Sequence, residues 1–110
     1  MIVEYIRYEI DEPRRAAFEA GYAAAQEALR ASPHCLAWEL ARCVEDPGQY
    51  VLRIEWDSAE GHLQGFRRDP EFRAFFAAIG PYVGAIQEMR HYEQTPVRSA
   101  AAETNAEAEA

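Results

Sequence analysis

His62 follows Trp56 by six positions, where an alternating apolar run gives way to a helical one. An imidazole titrates near neutral pH, so His62 can take a proton from an acidic hydroxyl such as a phenol. The electron-rich anion left behind is the kind that reacts with dioxygen. A flat aromatic partner needs flat walls, and Trp56, Trp38 and Phe66 are the side chains that stack on one. Hydroxyls that could bond it come from Tyr5, Tyr8, Tyr22 and Tyr82. Tyr22 lies on a helical stripe that faces a sheet, which makes it the most pocket-like tyrosine. The sequence therefore nominates His62 as the proton acceptor, with Trp56, Tyr22, Tyr5, Trp38 and Phe66 around a small aromatic ligand. Packing alone also accounts for the two tryptophans, and a surface position accounts for a lone histidine.

Other chemistries lack their residues. There is no Gly-rich phosphate loop, G-x-S-x-G elbow, H-E-x-x-H or C-x-x-C, so nucleotide, serine-hydrolase and zinc-protease readings have no support. Cys35 and Cys43 have no metal-site spacing. Eight extended residues place them about 26 Å apart, too far to bridge. His34 and His91 form no evident metal cluster with His62. The net charge of -8 and a pI near 4.8 argue against nucleic acid or an anionic membrane as partner. No apolar run is long enough to span a bilayer, and the N-terminus lacks a basic region followed by an apolar stretch. A cytoplasmic protein with free thiols is expected.

Elements must position these residues. Residues 2–10 alternate as a strand, with Ile2, Ile6, Tyr8 and Ile10 on one face and Val3, Tyr5, Arg7 and Glu9 on the other. Asp11 and Pro13 open a helix that runs to about Ala31. Its stripe is Phe18, Tyr22, Ala25 and Leu29, flanked by Ala17, Gly21, Ala24 and Ala28, small enough for close approach to a sheet. Residues 34–44 and 49–57 read as two strands around the turn Glu45-Asp46-Pro47-Gly48, an antiparallel hairpin. In the first, Leu36, Trp38 and Leu40 share one face; Cys35, Ala37, Glu39, Ala41 and Cys43 share the other. Arg42, Arg53 and Glu55 are strand charges that could pair across the hairpin. Ser58 caps a helix over 59–67, Asp69 and Pro70 open a short one carrying Phe72, Phe75, Phe76 and Ile79, and residues 85–93 give a last strand. From Thr95 to Ala110 the chain is rich in Ala and Glu and reads as a disordered tail.

The order β-α-β-β-α-β is that of a ferredoxin-like α+β domain over residues 1–94. Helices cover one face of its antiparallel sheet. Both strand faces carry aromatic or aliphatic residues, and a core of 110 residues gains from a partner. A homodimer is expected, the two sheets packing as a dimeric α+β barrel.

From Cys35 onward the residues become specific. The run CLAWEL-x-R, then EDPGQYVLRIEWDSAEGHLQGF, then PEFRAFF resembles the antibiotic biosynthesis monooxygenase family. The resemblance covers residues 1–93 and is sharpest from 35 to 76. It implies a dimeric ferredoxin-like barrel. Some members oxygenate phenols or quinols with dioxygen and neither metal nor flavin; others bind and degrade haem. Haem-degrading relatives use an Asn in the first strand, a Trp in the second helical region and a His on the next helix. Here the sole Asn is Asn105, the helices hold no Trp, and residues 70–79 hold no His. The expectation is a small cofactor-independent monooxygenase acting on a phenolic or quinol-type substrate. The alternative is a dimer that binds haem, through His62, or a small aromatic without turnover.

Overall fold

The computed structural model describes residues 1–61 and 65–99. His62, Leu63 and Gln64, and residues 100–110, lie outside the described residues. That removes the nominated proton acceptor and most of the expected tail from structural description.

Four strands and two principal helices follow the expected order: β1 (Ile2–Glu9), α1 (Glu12–Ala31), β2 (Cys35–Arg42), β3 (Gln49–Trp56), α2 (Pro70–Ile79) and β4 (Ile86–Glu93). Short 3-10 turns, Phe66–Arg68 and Gly80–Ala85, flank α2. The sheet is antiparallel throughout, in the order β2-β3-β1-β4. This is the ferredoxin-like α+β arrangement. The two central strands, β1 and β3, alternate buried and more exposed residues along most of their length. One face of the sheet meets the helices and the other does not.

The core is largely aromatic. Phe18 of α1 sits edge-on to Tyr8 and Tyr82, 4.8 and 5.1 Å between ring centres. Ile6, Leu52 and Ile54 complete it from the sheet, Leu29 from α1, and Phe75 and Ile79 from α2. Tyr50 is covered except for its hydroxyl, which donates to Glu19 at 2.5 Å.

Local signals act mostly as expected. Ser58 Oγ accepts the Gly61 amide at 2.8 Å, the cap predicted for that helical turn. Asp11 and Asp69 do precede their helices, but neither side chain makes a capping bond; their carbonyls accept the Arg14 and Phe72 amides instead. Gly48 in the hairpin turn lies against the end of β1. A Cβ there would come within 2.9 Å of the Arg15 guanidinium and 3.2 Å of the Ile10 carbonyl.

Two expectations need correction. The β2 alternation is broken between Cys35 and Ala37, where the register to β3 shifts. Leu36 is the extra residue, and it is 47% exposed rather than sharing the face of Trp38 and Leu40. Cys35 instead pairs with Trp56 and packs against the core. A bulge flips parity on one side of itself, which strict alternation cannot foresee. The second concerns Gly21. Its close approach is to α2, not the sheet: a Cβ would lie 3.0 Å from the Ala78 carbonyl oxygen.

Candidate functional site

Between the sheet and α2 lies a cavity of about 170 Å³. Strand alternation aims Glu4, Ile6 and Tyr8 of β1 and Ile54 and Trp56 of β3 at it. Met89 reaches it from β4, and Tyr22 from α1. The far wall is built from Phe66 and the apolar face of α2, Phe72, Phe75, Phe76 and Ile79. Pro70 fixes the start of that helix, so the phenylalanines arrive at helical spacing. Phe66 tilts against Trp56 with ring centres 5.1 Å apart and meets Phe72 edge-on at 5.6 Å. Such walls suit a flat apolar ligand.

Polar atoms enter at few places. One is Glu4, a carboxylate only 2% exposed. The Trp56 indole N–H donates to Glu4 Oε1 at 3.1 Å, and His91 Nε2 lies 3.4 Å from Glu4 Oε2. Glu4 and His91 are direct cross-strand neighbours on β1 and β4. A buried carboxylate is tolerated where hydrogen-bonding partners gather on it. Another is the pair of hydroxyls of Tyr8 and Tyr22, which hydrogen-bond each other. Burial pushes the pKa of both above the ordinary tyrosine range; they stay protonated at neutral pH and serve as neutral donors or acceptors. Arg67, exposed, stands at the rim.

The nominated residues divide. Trp56, Tyr22 and Phe66 line the same cavity. Tyr5 does not: it stands on the opposite sheet face, edge-on to Tyr92 at 5.5 Å and accepting from the Arg53 guanidinium at 3.3 Å. Trp38 is also elsewhere, in a separate groove between β2 and α1. Its indole donates to Gln26 at 3.1 Å, and the Arg30 guanidinium lies 5.6 Å from its ring centre. That is a strand-to-helix clamp. His62 lies outside the described residues.

Glu4 and His91 were missed as a pair. Glu4 has the parity of Ile2, Ile6 and Tyr8, so a carboxylate within an apolar row was the signal for it. His91 needed the β1–β4 register, which no local pattern supplies. Arg53 and Glu55, flagged as strand charges, pair along β3 itself at 2.8 Å. His34 pairs with Asp57 at 3.0 Å, away from the cavity. Both cysteines are free. Burial pushes the Cys35 thiol up to about 12, which makes it a poor nucleophile at neutral pH. Among the described residues no three His, Cys, Asp or Glu side chains gather as a metal site. No described helix is long and apolar enough to cross a membrane.

Sheet order, helix placement and an aromatic cavity under the second helical region define a small ferredoxin-like α+β protein with an apolar pocket between its layers. The pattern of the antibiotic biosynthesis monooxygenase family matches residues 1–78, and the chain belongs to that family. Among known proteins, the uncharacterised YczJ of Bacillus subtilis is 24% identical over 93 residues, spanning 84% of this chain and 98% of that one. A family structure from Bordetella bronchiseptica is 26% identical, with a TM-score of 0.71 over 86% of this chain and 96% of its own. One from Deinococcus radiodurans, 16% identical, shares the fold with a TM-score of 0.72, covering 90% of this chain and 97% of that one.

Proposed function

We propose that this chain is a monooxygenase that oxidises a phenolic or quinol-type aromatic with dioxygen. The cavity carries the reading: aromatic walls for a flat ring, with a buried carboxylate at one place and a tyrosine hydroxyl pair at another. Membership of the family supports it. The reaction balances without an external reductant. For a phenol going to a para-quinone, the ring C–H and the phenolic O–H bonds break. One oxygen atom becomes the new carbonyl, the other leaves as water with both hydrogens, and the substrate supplies all the electrons. The cavity's part is to orient the ring and exclude water.

The test is oxygen consumption with α-naphthol, run under heavy-isotope dioxygen. One labelled oxygen in the naphthoquinone is expected. Label in neither quinone oxygen, or no turnover of any naphthol or hydroquinone, rejects the reading. Met89→Trp, at the cavity rim, should raise KM by about tenfold or more by filling space the ring needs. His62 is the acceptor nominated from sequence alone; equal rates in His62→Ala would remove it and leave the role to another cavity group.

A homodimer through the free sheet face is part of the proposal. That face carries Tyr5, Val51 and Tyr92 among the paired charges of Arg53 and Glu55. No described helix covers it, and a second sheet would.

A further inference from the structure

We propose that Glu4 and His91 form a proton path from the cavity to solvent, with Glu4 as the group that takes the substrate's hydroxyl proton. This rests on the oxygenase reading above and assigns residues to its proton step.

Three observations carry it. Glu4 lines the cavity while its side chain is 3% exposed. Such a carboxylate can reach a bound hydroxyl but cannot exchange protons with bulk water directly. His91 is a neighbour that can. Its Nε2 is 3.4 Å from Glu4 Oε2, and its side chain is 33% exposed at the edge of the sheet. An imidazole accepts a proton on one ring nitrogen and releases one from the other, which suits a shuttle between a buried acid and water. Finally, Trp56 holds the other carboxylate oxygen at 3.1 Å. That bond fixes which oxygen faces His91, and it places the carboxylate beside the indole on which a ring would stack. Both strands that hold Glu4 and Trp56 are central in the sheet, so the geometry rests on rigid elements.

The steps balance simply. The substrate O–H bond breaks, its electron pair stays on the phenolic oxygen, and the proton goes to a Glu4 oxygen. Glu4 passes a proton to His91 Nε2, and His91 releases one to water from Nδ1. The neutral imidazole now carries its proton on Nε2; exchange through water at the partly exposed ring returns it to Nδ1, and with the Glu4 carboxylate restored the pair is ready for the next cycle. Dioxygen oxidises the phenolate as described above.

The experiment compares α-naphthol oxidation by the wild-type chain, Glu4→Gln and His91→Ala. Gln keeps an oxygen for the Trp56 N–H but cannot take the proton. Glu4→Gln should lose about 10²–10⁴ in kcat, the usual worth of general base catalysis, with KM nearly unchanged. His91→Ala, an exposed change, should lose about tenfold or more, and added imidazole should restore most of that loss while doing nothing for Glu4→Gln. Turnover that survives Glu4→Gln unchanged overturns the path while leaving the oxygenase reading intact. A His91→Ala defect that imidazole does not relieve overturns the shuttle. No turnover by the wild-type chain overturns the oxygenase reading and the path with it.

Discussion

The buried hydroxyl pair gives a sharp prediction at the residue scale. Tyr8 and Tyr22 satisfy each other inside an aromatic cluster. Tyr22→Phe strands the Tyr8 hydroxyl and should cost about 1–3 kcal/mol in urea unfolding. Tyr8→Phe with Tyr22→Phe should recover much of that, because no buried polar group is left unpaired; additive losses would contradict the pairing. A pH prediction follows from the raised pKa values. The unfolded chain loses protons from Cys35 above its ordinary 9.0 and from Tyr8 and Tyr22 above 10.0, while the folded chain holds them, Cys35 until about 12. A folded-state pKa above the unfolded one gives stability that is present below the unfolded value and lost as pH rises past it. The urea midpoint should therefore fall from pH 9 upward, and Cys35→Ala should fall less steeply. Trp56 and Tyr22 were legible as cavity-lining residues because strand parity and the helical stripe point them inward; Phe66, expected on a helix over 59–67, reaches the cavity from a 3-10 turn. Tyr5 and Trp38 were not, because aromatic type alone does not say which face or which groove a side chain enters.

At the scale of elements, α1 and α2 approach each other through Gly21. The Ala78 carbonyl leaves no room for a branched side chain there. Gly21→Val should destabilise by about 1–3 kcal/mol through overpacking, read as a lower thermal midpoint, despite removing a helix-interior glycine. The helices, the hairpin and the order of elements along the chain could be read from Pro, Gly and alternation. The bulge at Leu36 could not, since one extra residue leaves no trace in composition. The β1–β4 register was equally hidden, being set by pairing across some 87 residues of chain, as Glu4 with His91. That is why the fold was clear from the sequence while the carboxylate–imidazole pair was not.

For the whole molecule, the proposed dimer makes its own prediction. Light scattering at micromolar concentration should give twice the mass of 12.5 kDa. Val51→Arg, placing a charge in the middle of the bare face, should yield a folded monomer with unchanged far-UV dichroism. A wild-type monomer would sink the barrel. The bulge at Leu36 bears on what kind of assembly is open to the chain. It interrupts β2, one of the two edge strands, and β4 at the other edge has its own register shift beside Arg7 and Tyr8 and a row of charged and polar side chains. Irregular, charged edges resist the addition of further strands. Growth by edge-to-edge pairing is thereby disfavoured at both ends, which leaves the proposed face-to-face pair, one that would close on itself instead of propagating into a fibre.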